Sequence, residues 1–63
     1  MNRIKDVLKE KGISQTWLAN QMDKSYNTIN EYARNKRQPC LEDLYQIAEI
    51  LKISVKDLLV ENE

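Results

Sequence analysis

Ser14-Gln15-Thr16-Trp17-Leu18-Ala19-Asn20-Gln21-Met22-Asp23-Lys24-Ser25-Tyr26-Asn27-Thr28-Ile29-Asn30-Glu31-Tyr32-Ala33-Arg34 is the stretch from which the rest of the chain can be read. Ser14 and Ser25 are good helix N-caps, because a short side-chain oxygen can accept from the orphan N–H groups of a first turn. After Ser14, the residues Leu18, Ala19 and Met22 form an inward set that predicts a helix over 15–22. Asp23-Lys24 is a short break, and a second helix is predicted over 26–34. With Tyr26 at zero and each residue advancing about 100°, Asn30 falls at about 40°, Arg34 at about 80°, Asn27 at about 100° and Glu31 at about 140°. Tyr32 falls at about 240°, Ile29 at about 300° and Ala33 at about 340°, with Thr28 at the boundary, at about 200°. One side of this helix is apolar and the other carries hydrogen-bonding groups.

Working outward, Ile4, Val7 and Leu8 are spaced as one buried helical face, which predicts a first helix over 2–11. Gly12 follows where a left-handed terminator is wanted, and Ile13 packs the turn. Beyond the central stretch, Asn35 can close the helix in the left-handed conformation. Lys36-Arg37-Gln38-Pro39 is a basic loop in which Pro39 blocks helix continuation. Cys40 stands at the N-cap of a fourth helix over 41–51, whose buried stripe is Leu41, Leu44, Ile47, Ala48 and Leu51. Glu42 and Asp43 suit its positive N-terminal end. Ser54 caps a short fifth helix over 55–60, with Ser54-x-x-Asp57 resembling a capping box. The expected fold is an all-α, compact five-helix bundle forming one domain over 1–63.

Composition narrows the function. A chain of 63 residues, 41% hydrophobic and 32% charged, accommodates one small core. One Cys and no His exclude zinc sites, disulfide frameworks and imidazole catalysis. A single Gly leaves no Gly-rich phosphate loop. Apolar runs are far too short to cross a membrane, and the N-terminus lacks a signal-peptide stretch. No enzyme, cofactor or metal is expected, and the location expected is cytoplasmic. Net charge is zero, but residues 1–40 hold eight basic and four acidic side chains, against two and six in 41–63. A phosphate-bearing partner would prefer the first part.

Two short helices separated by a three-residue break, the second with a polar outer face, form a helix-turn-helix arrangement. Asn27, Asn30, Glu31 and Arg34 carry groups able to read base edges. Gln15 begins the preceding helix, where it could reach a phosphate. The basic loop Arg34-x-Lys36-Arg37 lies beyond the far end. Backbone anchors would thus flank one reading surface, the usual division between positioning and specificity.

Five blocks carry a family resemblance: Ile13-Ser14-Gln15-Thr16-Trp17-Leu18-Ala19, Lys24-Ser25-Tyr26-Asn27-Thr28-Ile29, Lys36-Arg37-Gln38-Pro39, Leu44-x-x-Ile47-Ala48-x-x-Leu51-x-Ile53 and Asp57-Leu58-Leu59. In order and spacing they resemble the Cro/C1-type (XRE) helix-turn-helix domain over about residues 3–60. The resemblance implies a lambda repressor-like DNA-binding fold and a transcriptional regulator, commonly a homodimer on a palindromic double-stranded DNA operator. Carried onto this chain, Gln15 matches the phosphate-contacting Gln of the second helix. Tyr26 and Asn27 match the first exposed positions of the recognition helix, and Glu31 a further base-reading position. Ser25 and Thr28 match small polar residues near the DNA backbone, and Lys36 and Arg37 match the basic loop.

The chain departs from the family at five places, one of them Trp17, which stands where a polar residue is more frequent. Asp23 and Asn35 stand where Gly is frequent, and both residue types suit left-handed geometry. Leu8 and Ala33 stand where the family often has an Arg–Glu ion pair. Exchanging both ends together is self-consistent, since changing one alone would strand a charge. The expected mechanism places helix 26–34 in the major groove. Asn27 would bond adenine, Glu31 would accept from cytosine N4, and Tyr26 would touch a thymine methyl or bond a phosphate. Asn30 would read bases or stand neutral. Ser25, Thr28, Gln15, Arg34, Lys36 and Arg37 would contact phosphates, while acidic residues of 41–63 face away. Leu59 and Val60 are the candidate dimer surface, Leu58 being core. With no room for an effector domain, no small-molecule effector is expected. The alternative reading is a protein-interaction module or an antitoxin-type regulator whose main partner is a protein. Trp17 and Tyr45 are expected as partly buried packing residues.

Overall fold

A computed structural model describes residues 1–60; the acidic residues Glu61 and Glu63 of the expected outward-facing tail lie outside the described residues. Four α-helices follow one another: α1 (Ile4–Lys11), α2 (Gln15–Met22), α3 (Tyr26–Ala33) and α4 (Leu41–Leu51), and a single 3-10 turn spans Val55–Leu58. The core draws on all five segments. Ile4, Leu18, Ile29, Ile47 and Leu58, one from each, are fully buried. Each such aliphatic side chain contributes about 1.5–3 kcal/mol by leaving water. Val7, Leu8, Ala19, Met22, Tyr32, Ala33, Ala48 and Leu51 complete the cluster. Leu8 and Ala33, expected as an apolar replacement for an ion pair, are both buried.

The same device ends all four helices. Gly12, Asp23, Asn35 and Lys52 take left-handed φ values of 69°, 56°, 60° and 59°. The next residue's N–H then reaches back to the carbonyl five positions earlier: Ile13 to Leu8 (2.9 Å), Lys24 to Ala19 (2.9 Å), Lys36 to Glu31 (3.0 Å) and Ile53 to Ala48 (3.0 Å). These bonds satisfy carbonyls that each last turn leaves without a helical partner. Lys52 was not expected there, since a left-handed conformation costs a side chain with a Cβ roughly 1–2 kcal/mol. At the opposite ends, Ser14 Oγ accepts from Trp17 N (3.0 Å) and Ser25 Oγ from Thr28 N (3.1 Å). Cys40 caps α4 by backbone conformation alone.

Several expectations are corrected. Among the described residues the bundle has four α-helices, not five. The segment expected as a helix over 55–60 is one 3-10 turn, in which Asp57 Oδ2 accepts from Ser54 N (3.2 Å). Leu59 is then drawn out of helical geometry by an antiparallel bridge to Asn2, alongside the bond from Arg3 N to Leu58 O (2.7 Å). That bridge also explains why α1 starts at Ile4 rather than residue 2. Helix α3 ends at Ala33 with Arg34 as its C-cap, one residue short of expectation. Trp17 and Tyr45 are also more exposed than expected, because Leu18, Ala19 and Met22 on α2, and Ile47, Ala48 and Leu51 on α4, occupy the inner faces. Leu41, expected in the buried stripe of α4, is exposed at the first position of that helix.

Candidate nucleic-acid interface

Helix α3 packs most extensively against α2 and also contacts α1. Ile29, Tyr32 and Ala33 face inward as the helical wheel requires, which turns Tyr26, Asn27 and Arg34 outward. Tyr26 is 54% exposed. None of the side-chain hydrogen bonds among the described residues of α3 involves Tyr26 or Asn27. Their polar groups are available for a ligand. Ser25 and Thr28 flank them in sequence, with hydroxyl oxygens 3.0 Å apart, and Ser25 also accepts from the Thr28 N–H. Both hydroxyls hold the first turn together.

Further along α3, polar side chains are engaged. Asn30 is half-buried and its Nδ2 donates to Gln15 Oε1 at 3.0 Å, joining the start of α2 to the middle of α3. The bond uses the Gln15 oxygen and leaves its Nε2 hydrogens to donate elsewhere. Glu31 Oε1 lies 3.7 Å from Arg37 Nη1. The Glu31 carbonyl also accepts from the N–H groups of Lys36 (3.0 Å) and Arg37 (3.3 Å). The two expected anchors, Gln15 and the basic loop, are thus attached to neighbouring residues of α3. Arg34 and Lys36 are exposed. Arg37 lies over the Tyr32 ring, its guanidinium carbon 6.0 Å from the centroid.

Two networks that leave no trace in the local sequence pattern hold the end of α3. Asn2 is buried. Its Nδ2 donates to the Tyr32 carbonyl (3.0 Å) and to Gln38 Oε1 (3.0 Å), and its Oδ1 accepts from Ile4 N (3.0 Å). Asn35 Oδ1 accepts from Asn2 N (2.7 Å) and Gln38 Nε2 (3.1 Å), while Asn35 Nδ2 donates to the Asn2 carbonyl (3.3 Å). The chain's second residue therefore fixes both the helix terminus and the basic loop. The second network centres on Asp43, which is buried rather than displayed at the end of α4. Its Oδ2 accepts from the Tyr32 hydroxyl (2.9 Å) and lies 3.3 Å from Lys24 Nζ. Burial, then the hydrogen bond to this carboxylate and its negative charge, push the Tyr32 pKa above its ordinary value of 10.0.

Three surface clefts lie away from α3, including one lined by Tyr45, Ala48, Glu49, Ile53 and Val55. Leu59 and Val60 are 43% and 40% exposed. Among the described residues, no helix is long and apolar enough to cross a membrane.

A family profile described as helix-turn-helix matches residues 4–58. A crystal structure of a candidate DNA-binding protein from Bacteroides fragilis is similar, with 48% sequence identity and a TM-score of 0.91 over 92% of this chain and 94% of that one. No curated protein gives a significant match. The matched span contains all four helices, the capped turn between α2 and α3, and the basic loop, so the chain belongs to the Cro/C1-type helix-turn-helix family.

Proposed function

We propose that the chain is a sequence-specific regulator of transcription that places α3 in the major groove of double-stranded DNA. The observation that carries this reading is the exposed first turn of α3, with Tyr26 and Asn27 free of internal partners, on a helix to which Gln15 is tied through Asn30 and the basic loop through Glu31. A carboxamide such as Asn27 can bond adenine N6 and N7 together, which discriminates bases as a phosphate contact cannot. Gln15 lies in the first turn of α2, where orphan N–H groups and the helix dipole favour a phosphate oxygen. Arg34, Lys36 and Arg37 supply cations at the other end, and Ser25 and Thr28 border the DNA backbone. Asn30 serves this surface by orienting Gln15, and Glu31 faces the bases.

One domain of this size makes few contacts, so the binding species is a homodimer on a palindromic operator with half-sites about 10 bp apart. The exposed Leu59 and Val60 support a dimer contact at the end of the described chain. The protein acts in the cytoplasm without a small-molecule effector. Selection from a random duplex pool at physiological salt tests the reading. A symmetric consensus with two half-sites is expected. Retention of the pool without enrichment of any sequence, or no retention at all, contradicts it.

A further inference from the structure

One cation of the basic loop, Arg37, is not free. Arg37 is 60% exposed, yet it folds back over the end of α3 instead of extending. Three contacts hold it: Nη1 lies 3.7 Å from Glu31 Oε1, the guanidinium sits over the Tyr32 ring, and its backbone N–H donates to the Glu31 carbonyl (3.3 Å). Glu31 is the acidic side chain among the residues expected to face the bases, and its side chain is 37% exposed. A carboxylate there is unfavourable opposite the acceptor-rich edges of guanine or thymine and favourable opposite the amino group of cytosine.

We infer that Glu31 and Arg37 form an internal lock that withholds one phosphate contact until the carboxylate meets a base donor. On a duplex without such a donor, Glu31 keeps Arg37 as its counter-charge and the loop grips with fewer cations. On a duplex that presents one, the base replaces Arg37 at the carboxylate and the guanidinium turns to the backbone. The exposed ion pair is weak alone, but the Tyr32 ring and the Arg37 N–H bond to the Glu31 carbonyl add to it, so that the exchange is tipped by one good hydrogen bond from a base to the carboxylate. Glu31 then sets specificity by penalising wrong DNA as well as by rewarding right DNA. The inference rests on the DNA-binding reading above.

The test is a double-mutant cycle with Glu31→Gln and Arg37→Ala, measured by fluorescence anisotropy across a salt series. The probes are the duplex selected from the random pool and a scrambled duplex of equal length. Freeing Arg37 adds one phosphate contact. On scrambled DNA, Glu31→Gln should therefore steepen the slope of log K against log salt by roughly 0.9 and tighten binding roughly fivefold at physiological salt. On selected DNA the gain should vanish or become a loss. In the Arg37→Ala background, Glu31→Gln should leave the slope unchanged. Equal tightening with and without Arg37 would mean that Glu31 acts only through net charge, and overturns the lock. An unchanged slope on scrambled DNA also overturns it while leaving the DNA-binding reading intact. If the parent protein binds neither duplex, both fall together. A second measurement needs no DNA: the Arg37 Nε–Hε resonance should move in Glu31→Gln and in Glu31→Ala, and a stationary resonance in both overturns the lock.

Discussion

The two ends of α3 are built on opposite principles. At its N-terminal end, Ser25 and Thr28 use their hydroxyls to hold the turn, and Tyr26 and Asn27 project with nothing to bond inside the protein. At its C-terminal end almost every polar side chain is tied: Asn30 to Gln15, Glu31 to Arg37, Tyr32 to Asp43, and Asn35 to Asn2 and Gln38. A surface that discriminates among bases needs unsatisfied donors and acceptors, while the element presenting them must be rigid to within a fraction of an ångström. Separating the two demands along one eight-residue helix lets each be met without cost to the other.

That contrast can be broken first at its firmest point. Asp43→Ala leaves the Tyr32 hydroxyl buried without its acceptor and Lys24 without its counter-charge. We expect a loss of about 1.5–3 kcal/mol, read as a lower urea midpoint at constant m. Asn27→Ala, at the open end, should stay within about 0.5 kcal/mol of the parent. Equal destabilisation by the two would erase the distinction. Asn2→Ala comes next. It strips partners from the Tyr32 carbonyl, the Ile4 N–H and the Gln38 carboxamide, and should cost about 1–3 kcal/mol by the same measurement. A cost confined to a few tenths would show that water replaces these bonds without penalty.

The smallest of these effects is alkaline. The Tyr32 pKa is raised in the folded protein above the ordinary 10.0, because burial and the Asp43 carboxylate disfavour its phenolate. The folded state therefore holds the proton more tightly than the unfolded state does. This contribution to stability is complete below pH 10 and is lost as pH rises through the higher folded value. Thermal unfolding followed above pH 10 should show a falling midpoint, with a shallower fall in Tyr32→Phe. A fall of equal steepness in the variant would place its origin in other groups.

The same contrast explains what could be read from the sequence. Helices α2 and α4 follow from apolar spacing and capping residues, as does the inward set of α3, because burial of a helical face leaves a periodic trace. Asn35 was readable as a left-handed terminator from residue type, and Asp23 from standing where the resembled family often has Gly. Lys52 was not, since nothing in a lysine signals that conformation. Long-range polar pairing leaves no local trace either. Asn2 looks like an ordinary first-turn residue until Tyr32, Asn35 and Gln38 are placed beside it, thirty or more positions away. Asp43 fits its helix N-terminus so well that its second use, as acceptor for Tyr32, is hidden. Leu59 carries an apolar side chain that suits either a helix or a bridge, and only the position of Asn2 decides between them. The open end of α3 was the more legible because its side chains point away from the rest of the protein.

The central claim is that Asn27 reads bases while Lys36 grips backbone, and the most direct measurement is the affinity of Asn27→Ala and Lys36→Ala for the selected operator and for random duplex. Asn27→Ala should cost about 1–3 kcal/mol on the operator and little on random DNA. Lys36→Ala should weaken both about equally and flatten the salt slope by roughly 0.9. If the two variants lose the same affinity on both duplexes, the division between a reading turn and a gripping loop is wrong.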